Sequence, residues 1–295
     1  EPVPESYVSG LKIQPDIDHQ LVRVTPSIKY EAYGDIIKVD VLENGQVISS
    51  GRAAAGQEAV LTLTDPHLWS PDDPYLYDLR VTLLSGKEEK DRVKSYMAMR
   101  KISKRKDERG IWRIQLNNKD LFQFGTLDQG WWPDGLYTAP SDEALKYDIE
   151  QTRKYGFNMI RKHVKVEPAR WYMHCDRIGM LVWQDMPSGD RTFSWQNRSY
   201  YKGSELERSA RSERIFRKEW KAIMDFLQPY PSIVAWVPFN EGWGQFKTEE
   251  ITEWTMDYDP GRLVNPASGG NHFHVGDMLD LHNYPQPELY LYDAE

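Results

Sequence analysis

The sequence has little of several features that mark common classes of protein. Its single cysteine, Cys175, excludes an internal disulfide and a cysteine-based zinc cluster. No apolar run approaches the roughly 18 residues that a membrane span needs, and residues 1–5 lack the basic and apolar parts of a signal peptide. We therefore expect no membrane partner. The compartment stays undecided, with a periplasmic or secreted location slightly favoured over a cytoplasmic one.

Positive charge is also scarce. There are 37 Lys and Arg against 45 Asp and Glu, which gives a net charge of −8, and the basic residues form no block. Because nucleic-acid affinity depends on clustered basic side chains that neutralise phosphates, we expect no nucleic-acid partner. The oligomeric state is not readable from the sequence.

Aromatic residues, in contrast, are abundant. The 295 residues include 11 Trp and 17 Tyr, and several fall in predicted loops, among them Trp131, Trp132, Trp183, Trp195 and Trp243. Flat aromatic faces suit the axial C–H groups of sugar rings. The alternative is that these large side chains fill hydrophobic cores, as aromatic residues commonly do.

Residues 1–107 have the pattern of an all-β domain. The segments 21–25, 36–41 and 77–83 alternate apolar and polar residues with a period of two, which is typical of half-buried strands. Asn44-Gly45 between two such segments predicts a type I′ hairpin, because that turn needs positive φ at both central residues. Frequent turn signals complete the pattern of an immunoglobulin-like β-sandwich.

Residues 108–295 alternate short apolar strands with helices, after a charged stretch, 104–109, that we interpret as a solvated linker. Ser141 and Gly156 predict the two ends of one helix, and Pro168 and Gly179 those of the next. Such alternation indicates parallel strands with crossover helices. Since no glycine-rich phosphate loop follows a strand, we expect no nucleotide cofactor, and indeed no cofactor of any kind, and favour a (β/α)₈ TIM barrel. Six of its eight strands are predicted, at 121–124, 157–160, 180–183, 233–237, 263–264 and 278–281.

Polar and aromatic residues follow nearly every predicted barrel strand. The carboxyl ends of barrel strands meet at one face, where TIM-barrel enzymes carry their chemistry. Carboxylates with an Arg, His and Trp residues around one cavity match the needs of glycoside hydrolysis, in which one carboxyl protonates the leaving oxygen. The candidate catalytic residue is Glu241, and the candidate substrate-binding residues are Asp128, Arg161, His163, Trp183, Asp185, Asn240, Trp243, His282 and Tyr284.

Four segments together resemble glycoside hydrolase family 2, the β-galactosidase, β-glucuronidase and β-mannosidase group. They are 68–77, 156–163, 171–179 and 231–241, the last reading Pro-Ser-Ile-Val-Ala-Trp-Val-Pro-Phe-Asn-Glu. The resemblance implies a sandwich followed by a catalytic barrel and a retaining mechanism with two glutamates. It puts Glu241 at the acid/base position and Asn240 before it. It also implies that Arg161 is the family's strand-two Arg and that Asp185 is its acidic residue after strand three.

The chain departs from the family pattern at the second glutamate. The nucleophile of the family lies in a Glu-Phe-Gly or Glu-Tyr-Gly motif on strand seven, and no such motif occurs here. The last candidate, Glu288, follows Pro285 and Pro287, which exclude a central strand. Residues 112–295 are also fewer than a complete barrel needs. We therefore expect a fragment truncated at both ends, with the nucleophile beyond its C-terminus and no activity of its own.

Two other interpretations of the sequence are possible. A carbohydrate-binding module without catalysis would explain the missing nucleophile. A metal-dependent barrel hydrolase could use His272 and His274, which share one face if extended and have Asp277 nearby. The sugar, the linkage and the aglycone are not readable from the residues.

Overall fold

The computed structural model describes residues 2–192, 194–196 and 200–284, and they form two compact units. The first takes in the chain up to Leu121 together with Asp176–Gly179 and Asp225–Pro231; the second takes in the rest. The division after Leu121 comes later than the boundary at 107–108 that the pattern change predicts. No helix in the described ranges is long and apolar enough to cross a membrane.

The first unit contains two antiparallel sheets. One has the order β1-β2-β5 and the other β4-β3-β6-β7. Alternate residues of both sheets point into one core, in which Val22, Val24, Val39 and Val81 are fully buried. The strands are β1 (Tyr7–Asp16), β2 (Leu21–Lys29), β3 (Asp35–Glu43), β4 (Gln46–Ala54), β5 (Ala59–Thr62), β6 (Tyr77–Ser85) and β7 (Glu88–Met97).

The turn between β3 and β4 confirms the predicted hairpin. Asn44 and Gly45 have φ angles of 50° and 79°, so both lie in the left-handed region that a type I′ turn requires. The strands on either side of this turn, β3 and β4, pair with each other in antiparallel orientation.

A third, small sheet follows β7, and it corrects the interpretation of 104–109 as a linker. Strands β8 (Ile102–Lys106), β9 (Trp112–Leu116) and β10 (Lys119–Asp120) pair in the order β10-β9-β8. Asp107 organises the turn, because its Oδ1 accepts the backbone N–H groups of Arg109 and Ile111 at 2.9 Å each. The ammonium groups of Lys104 and Lys106, both in β8, lie over the Trp112 ring. These charged residues therefore belong to a paired strand and not to a linker.

The second unit is built on a parallel sheet with the order β11-β12-β13-β14-β15. Helices connect its strands, and Ser141 caps the first helix by accepting the backbone N–H of Ala144. Strand β14, which pairs on both sides, is buried throughout, as expected for a parallel strand covered on both faces. The elements are β11 (Gly125–Asp128), α1 (Asp142–Lys154), β12 (Met159–Lys162), α2 (Ala169–Ile178), β13 (Leu181–Asp185), α3 (Ala210–Leu227), β14 (Ile233–Val237), α4 (Thr248–Tyr258) and β15 (Leu263–Val264).

Four of the six predicted parallel strands overlap observed strands, and the first and the sixth do not. The first was expected at 121–124, but β11 begins at Gly125 and the Phe122 side chain is 82% exposed. The Asn158 side chain explains the difference, because it binds the Phe124 N–H and the Phe122 carbonyl and so ties this segment outside the sheet. The predicted sixth strand is represented, within the described residues, by a single parallel bridge between Leu281 and Gly269.

The register of β11, β12 and β13 decides which side chains can meet. Leu127, Arg161 and Trp183 are register partners and share one face of the sheet. Asp128, Lys162 and Gln184 are also partners and share the other face. That second face packs against α2, where the Tyr172 hydroxyl donates to Gln184 at 2.6 Å.

Candidate active site

Arg161, on β12, is the centre of a buried hydrogen-bond network. Its Nε and Nη2 donate to the two carboxylate oxygens of Asp185 at 3.0 and 2.9 Å. Nη2 also donates to Asn240 Oδ1 at 2.8 Å, and Nη1 lies 3.3 Å from His282 Nε2. One guanidinium therefore connects the ends of β12, β13 and β14 with the segment that follows β15.

The Arg161–Asp185 pair is almost completely inaccessible to water. The exposed fractions of the two side chains are 8% and 1%. Burial disfavours the guanidinium charge, but Asp185, with Asp280 and Glu241, outweighs it and raises the pKa of Arg161. Burial raises the pKa of Asp185, and Arg161 opposes that shift. We assign Asp185 as the carboxylate because both of its oxygens accept hydrogen bonds, from Arg161 and from the Val164 N–H.

Glu241 follows β14 in a sterically restricted backbone conformation. Its φ of 49° lies in the left-handed region, which costs a non-glycine residue about 1–3 kcal/mol. The surrounding hydrogen bonds hold this conformation: the Glu241 N–H donates to the Ser268 carbonyl at 2.9 Å, and the Trp243 N–H donates to the Asn240 carbonyl at 2.8 Å. Backbone strain is thus present at the candidate catalytic residue.

The Glu241 carboxylate is held through one of its two oxygens. Oε1 contacts His282 Nδ1 at 2.8 Å and accepts the Tyr284 hydroxyl at 3.1 Å. Burial, followed by the charge of Glu241, raises the pKa of Tyr284, which keeps that hydroxyl a donor. Oε2 has no hydrogen-bond partner among the described residues. The carboxylate is therefore oriented at one oxygen and open at the other.

The contacts of His282 with Arg161 and Glu241 favour one tautomer of its ring. A guanidinium can only donate, so Nε2 must be the acceptor in the contact with Arg161, and the proton of a neutral ring lies on Nδ1. Nδ1–H then donates to Glu241. Ser268 Oγ, 3.1 Å from Nε2, also contacts the Asp280 carboxylate and joins that residue to the network.

His163, at the end of β12, is buried beside this network. Its Nδ1 lies 3.1 Å from Gln129 Nε2, and its ring centroid is 6.0 Å from that of Trp243. Burial lowers the pKa of His163, with Arg161 adding to the effect and Asp185 opposing it. The imidazole is therefore neutral at neutral pH.

We expect the His163 imidazole to titrate below the ordinary histidine pKa of about 6.5. Folding favours the neutral ring, so unfolding takes up a proton and this residue lowers the stability as the pH falls below about 6.5. A ¹⁵N NMR titration of the ring nitrogens measures the pKa directly. A His163 pKa at or above 6.5 would contradict the buried neutral assignment.

The structure brings together most, but not all, of the predicted site residues. Trp243 is 41% exposed beside His163, and Trp183, on the same sheet face as Arg161, donates its Nε1–H to Gln123 at 2.6 Å. Asp128 is separate, because it lies on the face that packs against α2. The residues joined by direct contacts are Arg161, Asp185, Asn240, Glu241, His282 and Tyr284. His163, two residues after Arg161, lies beside them.

Asp128 has a different environment from the one its position at a strand end suggests. Its Oδ2 accepts a hydrogen bond from the buried Lys162 ammonium at 2.7 Å, and its Oδ1 accepts one from the Gly130 N–H at 2.7 Å. The physical reason is the period of two along β11, since Asp128 is the register partner of Lys162 and not of Arg161. Its carboxylate thus fixes the following loop.

Several residues of the network were not singled out by the sequence. Ser268 and Asp280 support His282, and Gln129 contacts His163. Gln129 could have been found, because it directly follows a strand end. Ser268 and Asp280 carry no such signal, since their positions depend on how the segment after β15 folds back.

The described residues give no support to a metal centre. No group of three or more His, Cys, Asp or Glu side chains within them has the geometry to hold a metal ion. His274 stacks on Tyr200, with ring centroids 3.6 Å apart, whereas His272 is buried. Glu288, the last candidate nucleophile in the sequence, lies outside the described residues.

Comparisons with known proteins match most of the chain. Residues 6–100 match the model of glycosyl hydrolases family 2, and residues 113–284 match the model of the TIM barrel domain of that family. A β-galactosidase of Lactococcus lactis subsp. lactis is 25% identical over 272 residues, which are 90% of this chain and 26% of the relative. A putative β-glucuronidase of Formosa agariphila is 27% identical over 267 residues, which are 86% of this chain and 24% of the relative.

Solved structures show the same fold at lower identity. A β-D-glucuronidase structure from Dictyoglomus thermophilum has a TM-score of 0.72 at 18% identity, and covers 88% of this chain and 44% of its own. An FMN-binding β-glucuronidase from Facaelibacterium prausnitzii L2-6 has a TM-score of 0.71 at 18% identity, and the match covers 89% of this chain and 41% of that one. The chain spans about a quarter of the length of the curated relatives named above. Because the barrel-domain model alone matches more than half of its residues, the chain belongs to glycosyl hydrolase family 2.

Proposed function

We propose that the full-length protein hydrolyses terminal β-glycosidic bonds with retention of configuration, with Glu241 as its general acid and base. The observation that carries this proposal is the Glu241 carboxylate, held at Oε1 by His282 and Tyr284 and open at Oε2. Membership of the family and the position of Glu241 at the carboxyl end of β14 support the same role.

The chemistry assigned to Glu241 has two steps. In the first, the protonated carboxyl gives its proton to the glycosidic oxygen while the bond from that oxygen to C1 breaks and a second carboxylate bonds to C1. In the second, the Glu241 carboxylate takes a proton from water as the water oxygen bonds to C1 and the second carboxylate leaves. The first step needs the acid and the second the base, so one residue serves both.

The neighbouring side chains suit the binding of a sugar ring. Asn240 accepts from Arg161 through Oδ1, which leaves its amide N–H groups to donate, and His163 is neutral beside it. Trp243, two residues after Glu241, presents a partly exposed ring. We propose that these groups hold the hydroxyls and one face of the sugar that is cleaved off.

The relatives are named β-galactosidase and β-glucuronidase, and we propose a β-galactosidase-like specificity. Nitrophenyl β-galactoside, β-glucuronide, β-mannoside and β-glucoside offered to the full-length protein test this directly. Faster hydrolysis of the β-galactoside than of the others supports this specificity. Preference for the β-glucuronide would change the proposed sugar to a glucuronide and leave the proposed reaction unchanged. Hydrolysis of none of them, or of nitrophenyl α-glycosides only, contradicts the proposal.

The chain of 295 residues alone should be inactive. A retaining mechanism needs a second carboxylate about 5–5.5 Å from the acid, and we propose that a segment outside this chain supplies it. Purified chain and full-length protein, assayed side by side with the same aryl glycosides, give the comparison. Turnover by the chain alone would mean that one of its own carboxylates is the nucleophile.

A further inference from the structure

We propose that Trp131 and Tyr137 form an aromatic platform that binds the sugar ring next to the bond being cleaved, on its leaving-group side. This inference rests on the proposed glycosidase function and deepens it, since it gives the substrate class as a β-linked oligosaccharide. The two residues lie in the loop between β11 and α1, outside the Arg161–Glu241 network.

The platform is a pair of exposed rings in contact with each other. The Trp131 and Tyr137 ring centroids are 4.3 Å apart with an angle of 41° between the planes. The residues are 56% and 49% exposed. They flank a small hairpin, in which Trp132 and Leu136 exchange both backbone hydrogen bonds at 2.7 and 3.0 Å. The two rings therefore stack against one another, and the Lys165 ammonium lies 5.1 Å over the Tyr137 ring. Tyr137 supports the indole, and the exposed face of Trp131 is the surface left for a ligand.

Buried charges below the loop fix its conformation. The Lys165 ammonium is 6% exposed and donates to the carbonyls of Gly130 and Tyr137, at 2.7 and 2.9 Å, and so joins the two ends of the loop. Glu167, 3.0 Å away and 2% exposed, balances this charge. Because burying charges is unfavourable unless they are well paired, this arrangement specifies one loop geometry.

Gly130 shows how closely the loop packs on these charges. Its φ is +64°, and a Cβ at this position would lie 2.4 Å from Glu167 Oε1 and 2.6 Å from Lys165 Nζ. Only glycine fits there without displacing the ion pair. The aromatic rings are therefore presented on a loop that loses little freedom when a ligand binds, which favours affinity.

The position of the loop identifies the occupant. Gln129, directly before it, contacts His163, and the His163 ring lies 6.0 Å from the Trp243 ring. The platform thus follows the carboxyl end of β11, and Glu241 follows the carboxyl end of β14, so both lie at the same end of the parallel strands. In the cleavage of a terminal bond every further sugar lies on the leaving-group side, so the ring that reaches the platform belongs to the leaving group.

A pyranose fits this surface better than a wholly apolar ligand. One face of the ring carries C–H groups that can stack on the aromatic pair, while its hydroxyls stay in water. Trp and Tyr supply such contact area at low conformational cost because their side chains have few rotatable bonds. The half-exposed state of both rings matches a ligand that is covered on one face only.

Binding to the full-length protein tests the platform independently of turnover. In a Glu241→Gln background, calorimetry compares lactose, cellotriose and β-mannotriose with the corresponding methyl β-monoglycosides. We expect Trp131→Ala to weaken the best-bound oligosaccharide about tenfold and to leave the methyl glycosides unchanged. The control is Tyr155→Ala, which removes an exposed aromatic ring after the C-terminal end of α1 and should change neither. Trp131→Phe keeps an aromatic face and should lose less than Trp131→Ala.

The outcomes separate the two proposals. Equal weakening of oligosaccharides and methyl glycosides, no weakening of either, or no binding of any oligosaccharide overturns the platform. In turnover by the enzyme with Glu241 intact, loss of the platform should raise KM for oligosaccharides and leave kcat unchanged, because stacking remote from the bond is uniform binding. Failure of the full-length protein to hydrolyse any glycoside refutes the glycosidase function, while the binding comparison still decides on the platform.

Discussion

Glu241→Gln in the full-length enzyme should lower the turnover of glycosides with poor leaving groups by about 10²- to 10⁴-fold, the usual contribution of general acid catalysis. Gln keeps the size of the side chain and an oxygen that can accept from His282 and Tyr284, so the fold should be unchanged. Dinitrophenyl glycosides, whose leaving oxygen needs little protonation, should lose much less in the bond-breaking step. Pre-steady-state kinetics on both substrate types separates this step from hydrolysis of the intermediate.

Glu253→Gln is the matched control for the loss of a carboxylate. Glu253 lies exposed on α4 and should be replaceable without an effect on either substrate. An equal loss in Glu241→Gln for good and poor leaving groups would instead show that Glu241 acts through the structure of the site. A full-length protein that turns over both substrates normally without Glu241 would remove it from the mechanism.

Arg161→Met should destabilise the protein by about 3–5 kcal/mol, because it leaves the Asp185 carboxylate buried without its partner. It also removes the donor to Asn240 and the contact with His282, so the residues around Glu241 lose their common support. Urea unfolding measures the stability, and turnover is measured under conditions where the variant is folded. Turnover should fall even in the folded variant.

A second buried pair in the same unit provides the control. Arg262 and Asp259 are each 3% exposed and 2.6 Å apart. Arg262 also donates to the Ile233 carbonyl, and Asp259 accepts the Trp236 Nε1–H. Arg262→Met should cost a comparable free energy of unfolding but leave the turnover of the folded protein close to normal. The double variant Arg161→Met/Asp185→Leu should recover much of the stability and none of the activity. Equal activity losses in the two single variants would show that the effect of Arg161 is on folding alone.

The sequence predicts those features of this chain that depend on local chemistry. The Asn44-Gly45 turn follows from two residues that tolerate positive φ, and the start of α1 from the capping hydroxyl of Ser141. Strand β14 follows from a run of apolar residues. The grouping of Arg161 with Glu241 follows from a general property of parallel barrels, in which all strands end on the same face. These predictions need only the residues near each position and the fold class.

What the sequence does not predict depends on register and on distant partners. Asp128 and Arg161 both end barrel strands, but the register that pairs Asp128 with Lys162 turns its carboxylate to the helix-facing side. The apolar segment 121–124 has the pattern of a strand, yet the Asn158 side chain binds its backbone outside the sheet. Neither the pairing of strands nor a side-chain partner more than 30 residues away is encoded in a local pattern.

Azide rescue of Glu241→Ala in the full-length enzyme tests the central assignment most directly. With an activated aryl glycoside the glycosyl–enzyme bond can form without an acid, but water then lacks its base and hydrolysis stalls. Azide needs no base and is small enough for the space left by the carboxylate. We predict that turnover rises with azide concentration and that NMR of the product shows a β-glycosyl azide. No acceleration by azide, or an α-glycosyl azide as the product, would contradict Glu241 as the acid/base of a retaining β-glycosidase.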